Sequence, residues 1–177
     1  MNRKHFVQLI TATATGVIFV KETSLLGQSQ PTTDSITTQV KPKPKRPDPL
    51  KPEIVKDFVG KGHSNLDGVK LLLAEQPSLL NATWDWGGGD FESAIGGAGH
   101  MGRADIAEYL ISQGARMDIF VAAMLGKTDI VKALAAAFPA MLLSKGPHGI
   151  SLMTHAIKGG EAAKEVVEFL KSKGIEK

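Results

Sequence analysis

Apolar residues recur with helical spacing in four segments of the chain from residue 67 onward. The segments DGVKLLLAEQP, DIAEYLISQGA, DIVKALAAAFP and EVVEFLKSKGI begin at Asp67, Asp105, Asp129 and Glu165. Each opens on an acidic residue, which complements the positive end of a helix dipole, and its apolar residues share one helix face. We therefore expect four amphipathic helices. Their shared core should contain Leu71, Leu72, Ile106, Leu110, Ile130, Leu134, Val166 and Leu170.

A shorter apolar stretch precedes each of these helices: IVKDFVGKG, SAIGGAGHM, DIFVAAML and SLMTHAIKG, in chain order. Two of the longer helices end at Gly114 and Gly174, as expected for left-handed caps, and the other two end at Pro77 and Pro139. One amphipathic helix pair cannot bury its apolar face alone, so neighbouring pairs should stack. The pattern predicts an all-α solenoid of about four helix–turn–helix units.

Two of these units share a longer motif. SAIGGAGHMGRADIAEYLISQGA runs from Ser93 to Ala115, and GISLMTHAIKGG runs from Gly149 to Gly160. Both resemble the ankyrin repeat, whose pattern is G-x-T-P-L-H-x-A-A-x-x-G-H-x-E-I-V-x-x-L-L-x-x-G-A; the resemblance covers residues 55–177. It implies non-catalytic binding of another protein. The short spacing between Asp105 and Asp129 leaves no room for a β-hairpin finger between units two and three.

The second unit also contains a nucleotide-binding pattern, G-x-G-x-x-G, at Gly97, Gly99 and Gly102, with Asp118 about twenty positions later. A dinucleotide site needs a buried strand before the first glycine, whereas the preceding GDFESA is polar. No series of βαβ units is visible either. We interpret Gly102 as the turn between two helices, and the other two glycines as sites of close helix packing.

The N-terminal region differs from the rest of the chain. MNRKHFVQLITATATGVIFV has a basic start and an apolar run, which is typical of an export signal; NRKHFVQL also resembles a twin-arginine leader with Lys4 at the second arginine. We expect an export signal or anchor over 1–27, a disordered Pro/Lys-rich linker over 28–52, and the repeat domain over 53–177. The protein would then be periplasmic or secreted, touching a membrane only through an uncleaved N-terminus; the alternative is a cytoplasmic protein.

Charge and cysteine content exclude some functions. The first 56 residues carry nine Lys and Arg against four Asp and Glu, so the basic balance of the chain comes from this region. No basic stripe marks the repeat region, so we expect no nucleic-acid partner. The chain has no cysteine, which excludes disulfides and thiolate metal sites.

The polar residues give little sign of catalysis. No two of the five histidines form an H-x-x-x-H pair, so we expect no metal and no cofactor. Ser93 and Ser151 occupy the threonine position of the repeat, where a hydroxyl caps a helix. The acids Asp85, Asp90 and Glu92 are read as a solvated loop rather than a glycosidase pair. We expect a monomer without enzyme activity.

The loop NATWDWGGGDFES stands out because it is longer than the repeat requires and holds both tryptophans. Exposed tryptophans on such a loop are frequent binding anchors, although one of them could instead fill the gap between units one and two. An alternative function is therefore an envelope glycan- or small-molecule-binding protein that uses this loop. The predicted partner-binding residues, from the loop and from the positions that vary in ankyrin repeats, are Trp84, Trp86, Asp90, Phe91, Glu92, His100, Met101, His148, Ile150 and Lys158.

Overall fold

The computed structural model of the protein describes residues 46–176. The predicted export signal at 1–27 and most of the predicted linker at 28–52 lie outside the described residues. Within 46–176 the chain forms eight α-helices and one two-stranded antiparallel sheet. None of these helices has the length and hydropathy required to cross a lipid bilayer.

The helices follow one another as four successive pairs. These are α1 (Pro52–Gly62) with α2 (Leu66–Glu75), α3 (Ala94–Met101) with α4 (Ala104–Ser112), α5 (Ile119–Met124) with α6 (Thr128–Ala137), and α7 (Leu152–Lys158) with α8 (Lys164–Ser172). Gly102 ends α3 at a φ of 73°, in the left-handed region that favours glycine, and it begins the turn to α4. Its predicted role as a turn residue is confirmed.

Side-chain oxygens cap several of these helices. Ser93 accepts a hydrogen bond from the backbone N–H of Gly96, and Ser151 accepts one from Thr154, as predicted. Asp118 caps α5 in the same way through the N–H of Val121. The G-x-G part of the nucleotide-like motif lies inside α3 rather than in a strand-to-helix loop. Gly97 and Gly99 of that motif therefore lie within a helix, and its aspartate, Asp118, caps the next short helix.

The long loop between the first two pairs forms the sheet. Strand β1 (Thr83–Asp85) pairs antiparallel with β2 (Phe91–Ser93), and Trp84 lies opposite Glu92. Three glycines with positive φ, Gly87 to Gly89, form the turn between the strands. The region between α4 and α5, where no finger was expected, contains no strand.

The first helices of the pairs form an inner layer in which α1, α3, α5 and α7 contact one another in order. In addition, α3 contacts α7 directly, although a whole helix pair lies between them in sequence. This contact brings the fourth pair back onto the second. It places the segment before α7 against the β-hairpin, and the candidate site lies at this junction.

The predicted core is half correct. Ile106, Leu110, Val166 and Leu170 are fully buried, whereas Leu71 and Ile130 are exposed, and Leu72 and Leu134 are half-buried. In α2 the buried face instead carries Val69 and Leu73, and in α6 it carries Val131 and Ala135. Ile130 and Leu134 each lie one residue before a buried position of α6, and Leu71 lies two residues from both buried positions of α2. Because each residue corresponds to a rotation of about 100° in a helix, these offsets turn the predicted side chains partly or fully away from the core.

Two identical substitutions distinguish the observed core from the predicted one. Leu170→Ala should lower the free energy of unfolding by about 2–5 kcal/mol, because this side chain is fully buried. Leu71→Ala should change it by no more than about 0.5 kcal/mol, because Leu71 is 61% exposed. Urea unfolding of both variants measures the difference. Equal losses at the two positions would contradict the burial pattern.

Candidate functional site around a buried carboxylate

The carboxylate of Glu92 is buried next to the β-hairpin. Side chains alternate between the two faces of a strand, so β2 directs Glu92 inward, at 1% exposure, and its neighbour Phe91 outward, at 61%. Trp86, directly after β1, donates its indole N–H to Glu92 Oε2 at 2.7 Å. The hairpin therefore supplies both the carboxylate and one hydrogen bond that orients it.

Three histidines from different parts of the chain surround this carboxylate. His63 Nε2 lies 3.2 Å from Glu92 Oε2, and His100 Nε2 lies 2.9 Å from Oε1. His148 Nε2 lies 3.5 Å from Oε2. His63 follows α1, His100 lies in the last turn of α3, and His148 lies in the turn before α7. We call His63, Glu92, His100 and His148 the Glu92 cluster.

Glycine and an unusual backbone conformation make this approach feasible. A Cβ atom at Gly97 would lie 2.9 Å from the ring of His63, so a larger residue there would displace the histidine. His148 has a φ of 57°, a left-handed conformation that costs a non-glycine residue about 1–2 kcal/mol. Asp90 stabilises it by accepting the backbone N–H of His148 at 2.8 Å.

The second ring nitrogens of two of these histidines also have partners. His63 Nδ1 lies 3.2 Å from the carbonyl oxygens of both Val59 and Gly60. His148 Nδ1 lies 2.7 Å from Asp90 Oδ2. Because these partners are oxygen acceptors, they fix a proton on Nδ1 and leave Nε2 directed at the centre of the cluster.

The hydrogen bonds within the cluster shift two pKa values in opposite directions. Burial on its own would raise the pKa of Glu92, but hydrogen bonds from His100, His63 and Trp86 outweigh it and hold this pKa far below its ordinary value of 4.5. The hydrogen bond to Glu92 raises the pKa of His63, against an opposing effect of burial. The ionised carboxylate and the protonated His63 stabilise each other.

A fourth histidine lies close to the cluster but outside it. The ring centroid of His155 is 6.4 Å from that of His100. His155 is fully buried, and its Nδ1 lies 2.9 Å from the carbonyl oxygen of Ser151. Burial lowers the pKa of this imidazole, so the neutral form is favoured. The contact of His155 with Ser151 is to the backbone carbonyl rather than to the serine hydroxyl.

The structure brings together half of the predicted binding residues: Trp86, Asp90, Glu92, His100 and His148. Two of them require correction as contact residues, because Glu92 and His100 are only 1% and 9% exposed and cannot form a surface for a macromolecule. The interpretation of Glu92 as part of a solvated loop is wrong for the same reason, since strand alternation directs it inward.

The other five predicted binding residues do not join the cluster. Trp84 is half-buried against the core beside α1, with the ammonium of Lys56 lying 5.6 Å from its ring centroid. Phe91, Met101 and Lys158 are exposed, and Ile150 is half-buried. These four side chains remain accessible to a binding partner, but they lie outside the Glu92 cluster.

His63 is the member that the sequence analysis did not include among the site residues. A signal for it exists, because His63 and His100 end the similar strings GKGH and GAGH. The helices α1 and α3 contact each other, and the two rings lie 4.9 Å apart. An H-x-x-x-H pair places two ligands on one helix, whereas these three histidines lie on three different segments of the chain.

Comparisons with known proteins do not identify this arrangement. No protein-family model, curated protein or solved structure matches the chain. The interpretation of the site therefore depends on its geometry.

Replacing the central carboxylate should change the titration of His63. In Glu92→Gln the hydrogen bond from His63 to an anion is lost while burial remains, so the pKa of His63 should fall. NMR titration of the imidazole carbon protons measures it. Asp85→Asn is the control, because Asp85 is an exposed hairpin acid that accepts only loop N–H groups. Identical His63 titration in wild type and Glu92→Gln would contradict the described contact.

The same carboxylate should make folding sensitive to acid. Folding lowers the pKa of Glu92 from its ordinary value of 4.5. The ionised carboxylate therefore stabilises the folded state fully above pH 4.5, and this contribution is lost progressively as the pH falls below 4.5. The amide in Glu92→Gln does not titrate, so this variant has no such pH-dependent contribution. The difference in free energy of unfolding between wild type and this variant should therefore shrink as the pH is lowered below 4.5. Denaturant unfolding at several pH values measures it.

Proposed function

We propose that the described domain is a non-catalytic module that binds another protein, as the resemblance to ankyrin repeats suggests. The four helix pairs and their layered first helices support this proposal. Stacked helix pairs present extended surfaces that proteins commonly use for recognition. Protein binding of this kind requires no metal ion and no cofactor.

The observation that carries the proposal is the exposure of Phe91 on an ordered hairpin. Its side chain is 61% exposed, while the neighbouring Glu92 is held by hydrogen bonds inside the protein. A large exposed aromatic side chain on a fixed backbone loses little conformational freedom on binding. Such residues are typical anchors of protein interfaces.

A groove beside Phe91 supports the same proposal. It runs between the β-hairpin and the segment before α7, and its lining includes Phe91, Phe120 and Pro147. Asp90, Asp118 and Lys145 add two acidic groups and one basic group to the same groove. Apolar side chains flanked by isolated charges suit an extended protein segment with both apolar and polar side chains.

The glycan-binding alternative receives less support from the tryptophans. A sugar ring stacks on an open aromatic face, whereas Trp84 packs against the core. Trp86 is 39% exposed, and its indole N–H is already bonded to Glu92. We therefore favour Phe91 over the tryptophans as the anchor.

The signal-like N-terminal sequence favours the cell envelope as the place of this recognition. We propose that the protein binds its partner there as a monomer.

Two phenylalanines with the same exposure test the proposed anchor. Phe91 and Phe138 are both 61% exposed, but Phe138 lies at the end of α6 and outside the groove. Phe91→Ala should weaken binding of the envelope partner by about 30-fold, which corresponds to the loss of about 2 kcal/mol at an anchor. Phe138→Ala should bind like wild type. The measurement is capture by the immobilised protein from envelope and cytosolic extracts, followed by affinity determination with the purified partner.

Three results would contradict the proposal. They are equal effects of the two phenylalanine substitutions, capture only from the cytosolic extract, and saturable binding of a glycan that depends on Trp86. The last result would support the glycan-binding alternative. Because both phenylalanines are largely exposed, neither alanine variant should unfold the domain.

A further inference from the structure

The Glu92 cluster has the composition and spacing of a metal site. Its three imidazole nitrogens and one carboxylate oxygen all lie within 4.8 Å of one another. Four such ligands around one zinc ion, at about 2.0–2.2 Å each, would be separated by about 3.4 Å. The Glu92 contacts of His63, His100 and His148, at 2.9–3.5 Å, already span that value. A pair of ligand atoms at the 4.8 Å limit would have to approach by about 1.4 Å to reach that separation.

We propose that His63, Glu92, His100 and His148 bind one divalent transition-metal ion, with zinc as the reference ion. The proposal goes beyond protein recognition and does not depend on it. Imidazole and carboxylate ligands without thiolates suit zinc, nickel, cobalt or copper, whereas magnesium and calcium prefer sites made of oxygen ligands.

The surrounding hydrogen bonds are those that a metal-binding histidine needs. Metal-bound histidines almost always donate the other ring N–H to a carbonyl or carboxylate oxygen. His63 Nδ1 faces the carbonyls of Val59 and Gly60, and His148 Nδ1 faces the carboxylate of Asp90. Both histidines therefore direct Nε2 at the same point. A network that only satisfied Glu92 would not require Asp90 to orient His148.

The burial of the four residues suits an ion that enters from solvent. Glu92 and His100 form the buried base, with side chains 0% and 9% exposed. His63 and His148 form the outer side, at 22% and 32% exposure. An ion from solvent would approach the buried carboxylate past these two partly exposed histidines.

The position of the cluster in the fold gives a bound ion a structural effect. Its ligands come from the end of α1, the β-hairpin, α3 and the turn before α7. An ion would therefore link the first, second and fourth helix pairs. It would also stabilise the folded chain, because a ligand that binds only the folded state adds stability that grows with the logarithm of its concentration divided by Kd.

Zinc titration of the full-length protein, stripped of metal with a chelator, tests the proposal. Calorimetry should show one zinc ion per chain, no binding of magnesium or calcium, and a higher thermal midpoint with zinc. His148→Ala and His63→Ala each remove a partly exposed ligand, so they should keep the fold, which circular dichroism checks. Asp90→Asn alters an outer partner and should weaken zinc binding about 10–100-fold, and each histidine variant should weaken it at least as much.

Asp85→Asn is the matched control for Asp90→Asn, because Asp85 is an exposed acid of the same hairpin and accepts only loop N–H groups. It should bind zinc like wild type. Absence of saturable zinc binding, unchanged affinity in both folded His63→Ala and His148→Ala, or loss of binding in Asp85→Asn would overturn the proposal. No partner protein is present in these titrations, so their outcome is separate from that of the protein-recognition proposal.

Discussion

The burial of Glu92 is the constraint on which the surrounding structure depends. A buried carboxylate is costly unless other groups compensate its charge and satisfy its oxygens. Trp86, His63 and His100 donate to it, and His148 approaches from the turn before α7. The close packing at Gly97, the left-handed backbone of His148 and the contact between α3 and α7 all serve to bring these groups together.

The hairpin connects the two proposals through adjacent residues. Glu92 points into the cluster, and Phe91 points outward beside the groove. Any interaction that fixes Glu92 also fixes the backbone that presents Phe91. A metal ion in the cluster would thus order the binding surface in advance, and prior ordering lowers the entropy cost of association.

Local sequence signals predicted the helices well and the site only in part. The helix pairs, the caps at Ser93 and Ser151 and the turn at Gly102 follow from spacing and residue type. Leu71 and Ile130 were wrongly placed in the core, because α2 and α6 contain apolar residues on more than one face and the pattern does not decide which face is buried. The cluster depends on the contact between α3 and α7, and no local pattern encodes that contact.

Four side chains, from the end of α1, the β-hairpin, α3 and the turn before α7, converge on the point that we propose binds a metal ion. The most direct measurement is anomalous diffraction at the zinc absorption edge from crystals of the protein grown with zinc. We expect one strong peak about 2.0–2.2 Å from the Nε2 atoms of His63, His100 and His148 and from a carboxylate oxygen of Glu92. A crystal structure in which His148 lies away from Glu92, or in which the anomalous peak lies at other residues, would contradict the account.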